Sequence, residues 1–536
     1  MAVCRLAIVC FLEWFIGFSL HAQADRHVVY FKDKNNSPYS VQQPEAFLSE
    51  RSIKRRAHSG IAVVTEDLPV NPNYVSQVHA TGAKTYFTSR WMNAVLVEAT
   101  AAQITSIAAL PFVQRTELVA PGQQLRGGRV AKTKSSLAIA AETSTSVQLT
   151  MLGLDKMHID GFRGNGIMIA VFDAGFPGIN TLQSFQSIFE QGRMIMTKDY
   201  VYNSDNVYQY YAHGTEVLSV MAANNGMGFV GGADAAEYLL FVTEDYYTEY
   251  RIEEFNWLFA AEKADSAGAD IIQASLGYNF FDDYNMDYAV TSLDGKSAVV
   301  SIAAGLASDR GMIVSVSAGN EGTKPWHYIT PPADVDGILA TGAVNASLTK
   351  ASFSSFGPTA DGRIKPDVMA LGSNTVIMRQ DGSIAQSSGT SFASPLVASL
   401  AAGLLQAYPD LKPAQLVQII RNTASKSNQP DNSMGYGIPH YVAVKNYMTV
   451  SELSEDVFLF PNPSVGSVFV GFSTLPLEPV SLVMTDLSGR TVMDTSVMPD
   501  WQNNPLEVPL GNLSPGLYVL KVSAAGRVSV LRFVKM

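Results

Sequence analysis

Hydrophobic and polar residues alternate differently in successive stretches of this chain of 536 residues. From residue 25 to about residue 120, runs of β-branched and aromatic residues predict strands at His27–Phe31 and Trp91–Val97. Between these strands, Pro44–Arg56 is predicted to be a helix. The first stretch therefore has the pattern of a small α/β unit.

The long middle stretch, from Leu149 to about Met448, alternates apolar strands with longer helical segments. This alternation predicts an α/β domain with a mostly parallel sheet and helices on both faces. Before it, residues 121–148 are rich in Gly, Ser, Thr and Ala, which is typical of a linker. Residues 452–536 contain short alternating strands with Pro and Gly turns and predict a separate β-sandwich.

The first 24 residues have the pattern of a secretory signal peptide. Arg5 precedes an apolar run from Leu6 to Leu20, and Ala22 and Ala24 supply small residues two apart. Glu13 interrupts the run, which argues mainly against a membrane-spanning helix, because a carboxylate at bilayer depth is costly. We expect cleavage after Ala24, and we expect no transmembrane segment later in the chain.

Composition narrows the class of protein. The hydrophobic fraction of 47% and the charged fraction of 16% fit a chain with large cores and argue against disorder, coiled coil and collagen. The net charge of −11 argues against nucleic acid as a partner. Cys4 and Cys10 both lie in the predicted signal peptide, so the mature chain has no disulfide, cysteine nucleophile or cysteine metal site.

Charge is unevenly divided along the chain. Residues 25–139 carry 14 Lys and Arg against 8 Asp and Glu, whereas residues 140–536 carry 22 against 39. A basic front part and an acidic body attract each other, which suggests that they dock. The alternative at this point is a chance distribution of surface charge.

Two motifs in the middle stretch place polar groups at the ends of apolar segments. Residues 166–175 have a buried-strand pattern that ends in Asp173 before a glycine turn. Further on, His213-Gly-Thr opens a helical segment, and its glycine permits the close approach of a neighbouring chain. Each motif alone has an ordinary alternative, since strands often end in a capping Asp and helices often begin beside a polar side chain.

A third motif puts a serine at the start of a long apolar helix. Ser391 follows Gly389-Thr390, and the helix is predicted to run to about Tyr408. Pro395 is tolerated only near the first turn, so the helix must begin close to Ser391. A serine in that position has helix N–H groups beside it. The ordinary alternative is a plain N-cap serine.

The combination of Asp173, His213 and Ser391 points to nucleophilic catalysis. A serine hydroxyl needs a base to take its proton, and a histidine base needs a carboxylate that fixes its tautomer. The chain order Asp, His, Ser excludes the orders found in α/β-hydrolases and in chymotrypsin.

These motifs resemble the three signatures of the subtilisin-like serine proteases, the subtilases. Ser317–Asn320, Phe353–Pro358 and Lys365–Asp367 resemble further segments of the same family, and the likeness spans residues 149–448. The resemblance implies a subtilisin-like α/β fold. It also implies a serine endopeptidase that acts on protein or peptide substrates through an acyl-enzyme intermediate.

The resemblance assigns a role to each residue of the site. His213 would take the Ser391 proton and later protonate the leaving amine, while Asp173 holds the imidazole. The Asn320 amide and the Ser391 backbone N–H would form the oxyanion hole. The segment expected to bind the substrate backbone is Ser275, Leu276 and Gly277.

Three positions depart from the family pattern. Glu216 stands where a second His is common, Ala174 where Ser or Thr is usual, and Leu371 where Pro is common. None of them is a triad member, so we expect an active enzyme. The alternative is a surface adhesion or scaffold protein that uses the same fold with an idle triad.

Residues 25–120 resemble the small α+β propeptide that precedes subtilase domains, most closely at Ser89–Val97. The resemblance implies an inactive precursor, whose own propeptide assists folding and inhibits until it is cleaved. Lys54-Arg55-Arg56 is an alternative processing site, but we expect this segment to lie on a solvated helix face. We expect cleavage in the linker after Val119.

Residues 452–536 resemble the C-terminal sorting domain of type IX secretion in Bacteroidota. The resemblance rests on four segments: Leu459–Pro463, Asp486–Arg490, Leu513–Val519 and Arg532–Met536. It implies a partner in the type IX machinery, and a protein exported through the periplasm of a Gram-negative bacterium and then secreted or held on the cell surface. The alternative is a β-sandwich that binds carbohydrate or pads the catalytic domain.

We expect the reaction to require no cofactor. Structural calcium is common in the family, and Asp282, Asp283 and Asp287 form an acidic loop that could bind it. We expect this loop to be a solvated surface loop, and we assign no metal ligands.

Overall fold

The computed structural model describes residues 23–122, 144–450, 457–472, 476, 478–498, 505–511, 513–524 and 527–536. The strands form an N-terminal sheet, a central sheet with a small accessory ribbon, and two C-terminal sheets. The predicted signal peptide, apart from residues 23 and 24, and the main part of the predicted linker, residues 123–143, lie outside the described residues.

An antiparallel sheet with helices on one face forms the N-terminal unit. Its elements are β1 (Ala24–Phe31), α1 (Glu50–Ser59), α2 (Pro72–Ala80), β2 (Lys84–Ser89), β3 (Ala94–Thr100), α3 (Ala101–Ala108) and β4 (Val113–Ala120). The strand order is β2-β3-β1-β4. Val29 and Val97 pack with α2 and α3, whereas the alternate residues Val28 and Leu96 point to the opposite face, against the central domain.

The strand predicted at Trp91–Val97 begins later than expected. Residues 91–93 form a turn, and β3 starts at Ala94. Asn93 adopts a φ of 49°, a left-handed conformation that a strand residue does not have. The pattern of apolar residues continued through the turn, and for that reason the sequence did not reveal it.

The helix predicted at Pro44–Arg56 is wrong in its first part. The structure has a 3₁₀ turn at Pro44–Ala46, and α1 begins only at Glu50. The Ser49 side chain accepts a hydrogen bond from the Ser52 N–H, so Ser49 is the N-cap that starts the helix.

Seven parallel strands form the central sheet, in the order β11-β10-β9-β8-β5-β7-β6. The elements of this domain are α4 (Ser146–Leu152), α5 (Leu154–Ile159), β5 (Met168–Asp173), α6 (Gln186–Glu190), β6 (Met194–Asp199), α7 (His213–Ala222), β7 (Glu237–Val242), α8 (Ile252–Ala267), β8 (Ile271–Ala274), α9 (Val299–Asp309), β9 (Ile313–Ser317), β10 (Leu339–Val344), β11 (Val368–Leu371), β12 (Thr375–Met378), β13 (Ile384–Ser387), α10 (Thr390–Ala407), α11 (Pro413–Asn422) and α12 (Tyr441–Val450). β12 and β13 pair as a separate antiparallel ribbon.

Both faces of the central sheet are covered. Along β5, Ile169 and Val171 pack into the core that contains α7 and α10, whereas Met168 and Phe172 pack into the core that contains α8 and α9. Because neither face meets water, the strand is apolar along its length until Asp173. The predicted α/β fold with helices on both faces is therefore confirmed.

The central helix α10 is long and apolar. Among the residues that the structure describes, it is the helix whose length and composition would suffice to cross a membrane. However, 89% of this 18-residue window is buried inside the fold, against β8, β9, β10 and β11. Its hydrophobicity is that of a core helix.

The N-terminal unit packs against α8 through apolar side chains. The ring of Phe87 from β2 lies 4.9 Å from that of Tyr200 and 5.5 Å from that of Phe259 in α8. Trp91 and Val119 are buried in the same core as α8 and α9. The two units therefore share a continuous hydrophobic core.

Buried charges surround this apolar contact. We call the following set the interface cluster: Arg55, Arg56, Asp67 and Arg90 of the N-terminal unit, with Asp265 and Arg310 of the central domain. Asp265 is fully buried and accepts hydrogen bonds from all three arginines of the N-terminal unit. The cluster thus ties α1 and the β2–β3 turn to α8.

The interface cluster corrects one expectation about α1. Arg55 and Arg56 do not lie on a solvated helix face, because they are buried against Asp265. Only Lys54 of that basic run stays exposed, in an ion pair with Glu50. The sequence could not show this, since Asp265 is about 200 residues away along the chain.

Two antiparallel sheets form the C-terminal part. Its elements are β14 (Val457–Phe460), β15 (Ser467–Phe472), β16 (Val480–Asp486), β17 (Thr491–Val497), β18 (Leu506–Pro509), β19 (Gly516–Ala524) and β20 (Arg527–Lys535). The sheets have the orders β14-β15-β18 and β17-β16-β19-β20, and they enclose one hydrophobic core. Val468, Val470 and Leu520 lie in that core, which agrees with the predicted β-sandwich.

Candidate active site

Asp173 is the last residue of β5, at the carboxyl end of the central sheet. Its side chain is fully buried, and one carboxylate oxygen accepts a hydrogen bond of 2.8 Å from the Ala174 N–H. Ala174 occupies the position where the family usually has Ser or Thr. In this chain the backbone supplies a hydrogen bond to the carboxylate at that position.

His213 is the first residue of α7 and lies directly against Asp173. The imidazole Nδ1 is 2.8 Å and 2.9 Å from the two carboxylate oxygens of Asp173. Gly214 permits this approach, because a Cβ there would lie 2.4 Å from the Gly175 carbonyl oxygen and 2.9 Å from the Asp173 Cβ. The pair can fix the imidazole tautomer with its proton on Nδ1 and direct Nε2 to other groups.

Ser391 lies in the first turn of α10, near the imidazole. The next residue, Phe392, has its ring 6.0 Å from that of His213. The Ser391 hydroxyl donates a hydrogen bond of 3.4 Å to the Ser275 carbonyl oxygen. The structure therefore brings Asp173 and His213 into direct contact and places the residue after Ser391, Phe392, beside the imidazole.

The start of α10 is held by a side-chain hydrogen bond, because Pro395 removes the usual backbone bond. A proline has no N–H, so it cannot donate to the carbonyl of the residue four positions earlier, which is Ser391. The Ser391 carbonyl oxygen instead accepts a hydrogen bond of 2.7 Å from the Ser275 hydroxyl. The Ser275 oxygen in turn accepts a bond of 2.7 Å from the Gln273 side-chain amide. This chain of bonds anchors the helix turn that carries Ser391.

Asn320 follows β9 and faces the same helix turn. Its side-chain oxygen accepts hydrogen bonds from the Thr390 N–H at 2.9 Å and the Thr390 hydroxyl at 3.0 Å. Because both bonds fall on the oxygen, the orientation of the amide is fixed, and its nitrogen borders the space above Gly389. The Asn320 amide and the Ser391 N–H can both donate towards an oxyanion there.

The predicted substrate-binding segment directly follows β8. Ser275 is buried beside the Ser391 turn, and Leu276 is partly buried. A Cβ at Gly277 would lie 2.1 Å from the Thr330 hydroxyl, so only glycine fits at that position. Gln273 and Thr390 lie within the sequence motifs, two residues before Ser275 and directly before Ser391, but the motifs alone indicated no role for either side chain.

The predicted acidic loop does not converge on a single point. Asp282 accepts a hydrogen bond from the Glu249 N–H, Asp283 from the Asn285 N–H, and Asp287 from the Phe281 N–H. This is the pattern of turn-capping carboxylates. Among the described residues, a different group brings carboxylate oxygens within 4.8 Å of one another: Glu244, Glu249 and Glu253.

Comparison with known protein families decides the identity of the central domain. Residues 164–437, slightly more than half of the chain, match the subtilase family. The chain belongs to the subtilase family. On either side of that region, residues 26–136 match the peptidase S8 propeptide domain of Bacteroidota, and residues 458–536 match a secretion system C-terminal sorting domain.

Individual relatives agree with this assignment. The chain is 29% identical to Subtilisin NAT of Bacillus subtilis subsp. natto over 307 residues, which cover 56% of this chain and 71% of that protein. It is also 29% identical to Subtilisin of Bacillus pumilus over 282 residues, which cover 52% of this chain and 90% of that protein. A mutant of the Epidermin leader peptide processing serine protease of Staphylococcus aureus shares the fold, with a TM-score of 0.55 and 14% identity over 79% of this chain and all of that one.

The predicted class of protein is therefore confirmed. This subtilase is a subtilisin-like serine endopeptidase, made with a propeptide and with a C-terminal sorting domain of the type IX kind. The sorting domain indicates export, to the medium or to the cell surface of a member of the Bacteroidota.

Proposed function

We propose that Asp173, His213 and Ser391 form the catalytic triad of this secreted endopeptidase. The observation that carries the proposal is the contact between the His213 Nδ1 and both oxygens of the buried Asp173 carboxylate. Further support comes from Phe392, which follows Ser391 and has its ring 6.0 Å from that of His213, and from the chain of bonds through Ser275 that anchors the turn. A base, its orienting carboxylate and a serine are the groups that acyl transfer requires.

In the proposed reaction, the Ser391 Oγ attacks the substrate carbonyl carbon and gives its proton to the His213 Nε2. The negative charge of the tetrahedral intermediate falls on the former carbonyl oxygen, where the Asn320 amide and the Ser391 N–H donate hydrogen bonds. Removal of an asparagine donor from the oxyanion hole of a subtilisin costs about 2.7–4 kcal/mol. His213 then protonates the leaving amine, and a water molecule releases the acyl group from Ser391 by the reverse sequence.

A fluorophosphonate probe tests the triad, because it reacts only with an activated serine. We expect the wild-type protein to be labelled and to have a new N-terminus within residues 115–150. Ser391→Ala should lose the label and stay as the precursor. If wild type lacks the label and Ser391→Ala is processed equally well, the triad is idle and the scaffold alternative takes its place.

We propose that the propeptide stays docked on α8 and inhibits until it is degraded. Support comes from the shared core and the interface cluster, in which basic residues of the N-terminal unit meet acidic residues of α8. Cleavage is proposed in the linker after Val119. N-terminal sequencing of the processed protein tests this, and a first cut at Lys54–Arg56 would contradict it.

We propose that the chain crosses the periplasm and leaves through type IX secretion machinery, which recognises residues 452–536. The support is the match of residues 458–536 to a secretion sorting domain. A variant that lacks these residues should accumulate active inside the cell envelope. Equal secretion of that variant would contradict the proposal.

We propose that catalysis requires no cofactor, because the chain's own side chains and backbone supply the nucleophile, the base and the oxyanion donors. A chelator should therefore leave the kcat of the mature enzyme unchanged in a brief assay. A loss of kcat that added calcium restores would contradict the proposal and direct attention to the acidic groups near Asp282 and Glu249.

A further inference from the structure

A row of tyrosine rings extends outwards from His213. Tyr211, two residues before His213, has its ring centroid 6.4 Å from the imidazole. Tyr246, in the loop after β7, stacks on Tyr211 at 4.2 Å, and Tyr247 meets Tyr246 edge-on at 5.4 Å. Tyr246 is 37% exposed and Tyr247 is 73% exposed. We call these three residues the tyrosine row.

A second tyrosine pair adjoins the row. Tyr202, in the loop after β6, stacks on Tyr210 at 4.9 Å, and both rings are exposed. Burial and the nearby carboxyl group of Asp245 raise the pKa of Tyr202, with a smaller effect from Tyr247. The loops after β6 and β7 and the segment before α7 therefore meet in one aromatic surface beside the candidate active site.

Several carboxylate groups lie close to this aromatic surface. Glu244 and Asp245 immediately precede Tyr246, and oxygens of Glu244, Glu249 and Glu253 lie within 4.8 Å of one another. Glu244 accepts a hydrogen bond of 2.5 Å from the Tyr278 hydroxyl. Burial and the charge of Glu244 raise the pKa of Tyr278 well above its ordinary value, which agrees with a negative potential in this region.

The tyrosine row lies within reach of a bound substrate. An extended peptide advances about 3.3 Å per residue. Tyr211 lies 6.4 Å from the imidazole and Tyr246 a further 4.2 Å from Tyr211. A side chain one to three residues from the scissile bond can therefore rest on these rings.

We propose that the tyrosine row is a subsite for a Lys or Arg side chain of the substrate. Electron-rich ring faces attract a cation, and the carboxylates of Glu244 and Asp245 add a favourable field. The proposal rests on the proposed function, because the row matters for specificity only if His213 is the catalytic base.

The chain itself contains a segment with matching charge. The linker between Gly122 and Ser144 carries Arg126, Arg129, Lys132 and Lys134 against a single acidic residue, Glu142. This linker is also where we propose the precursor to be cut. The same preference for cations would therefore direct the first, self-processing cut into the basic linker and select basic sites in later substrates.

A peptide library presented to the mature wild-type enzyme tests the subsite. We expect Lys and Arg to be enriched at one position within three residues of the scissile bond. From the sequences selected, a peptide with Arg at that position and a matched peptide with Leu give a ratio of kcat/KM values, with each enzyme normalised by fluorophosphonate titration. Tyr246→Ala and, independently, Tyr247→Ala should lower this ratio about fivefold.

Two further variants make the test specific. Tyr246→Phe keeps the ring face and should keep the Arg preference, whereas Tyr284→Ala removes a 79% exposed tyrosine from a different loop and should leave the ratio unchanged. An enzyme that takes the fluorophosphonate label but shows no cation preference, or whose preference survives both Tyr246→Ala and Tyr247→Ala, overturns the subsite and leaves the triad intact. Absence of the label overturns the proposed function itself.

Discussion

The candidate active site and the interface cluster both bury charged side chains, but they pair them differently. In the active site, a single carboxylate, Asp173, meets an imidazole that can gain and lose a proton. In the interface cluster, Asp265 meets three guanidinium groups, which keep their charge at any ordinary pH. The first arrangement suits proton transfer, whereas the second can only hold two surfaces together.

The difference also determines what happens when a partner is removed. When a buried ion pair loses one partner, the folded state is destabilised by several kcal/mol. The remaining charge is then buried with neither water nor a counter-ion to stabilise it. In the interface cluster, departure of the propeptide, as we propose it, would expose Asp265 and Arg310 to water, which would solvate both charges. Buried charge at this interface is therefore compatible with reversible docking, whereas Asp173 and His213 lie together within one domain.

Loss of a triad member should produce the largest effect. Ser391→Ala or His213→Ala should lower kcat by about 10⁶-fold, and Asp173→Asn by about 10⁴-fold, because the imidazole then adopts the wrong tautomer. Hydrolysis of a peptide substrate by protein processed in trans measures these values. A fall of less than tenfold in Asp173→Asn would show that the Asp173–His213 contact has no role in catalysis.

Loss of Asp265 should break the interface cluster while leaving the triad in place. Asp265→Asn removes a charge that three arginines share, so docking should weaken by about 3–5 kcal/mol, which is roughly 150-fold to 5,000-fold in affinity. After processing, the propeptide should co-elute with wild-type enzyme in gel filtration and separate from the variant. Asp309→Asn, at an exposed position of α9, is the matched control. Equal retention in all three proteins would contradict the docking role.

Glu254 is a third buried acidic group, and it is held by hydrogen bonds rather than by a group of arginines. It accepts hydrogen bonds from Tyr288 and the Val300 N–H, and burial raises its pKa to about 7. The raised pKa means that the folded protein holds this proton more tightly than the unfolded chain does. Its contribution to stability is therefore complete below about pH 4.5 and is lost as the pH rises to about 7.

Glu254→Gln should consequently be the more stable protein above pH 7, by up to about 3 kcal/mol. The Tm, measured against pH in a Ser391→Ala background that prevents autolysis, should decline less between pH 5 and pH 8 in the variant than in the parent. Glu190→Gln, which changes an exposed glutamate, serves as the control. Parallel curves for Glu254→Gln and its parent would contradict the raised pKa.

The smallest expected effect concerns the anchoring of α10. Ser275→Ala removes the hydroxyl that donates a hydrogen bond to the Ser391 carbonyl oxygen. Pro395 cannot replace this donor, because proline has no N–H. A lost hydrogen bond of this kind costs about 1–3 kcal/mol, so kcat should fall about tenfold. Kinetics of the processed variant measure this, with Ser347→Ala at an exposed position as control. An unchanged kcat would show that the helix turn is held by other contacts.

Much of the candidate site could be predicted from the sequence, because each residue lies in a local motif with a physical reason. Asp173 ends an apolar strand, His213 precedes a glycine that a close contact requires, and Ser391 stands ahead of Pro395. The sheet could also be predicted, since strands buried on both faces are apolar throughout.

The parts that could not be predicted depend on residues far apart in the chain. The burial of Arg55 and Arg56 requires Asp265, and neither segment alone indicates it. The stacking of Tyr211 on Tyr246 joins two loops whose proximity only the parallel sheet establishes. Local patterns therefore located the chemistry, whereas the interface and the aromatic surface emerged only from tertiary structure.

The most direct test of the triad is to map the fluorophosphonate adduct on the processed enzyme by mass spectrometry. We expect one modified residue, Ser391, and we expect the modification to be lost in His213→Ala, because the serine is then no longer activated. An adduct on a different serine, or equal labelling of Ser391 in His213→Ala, would contradict the claim that Asp173, His213 and Ser391 act as one catalytic unit.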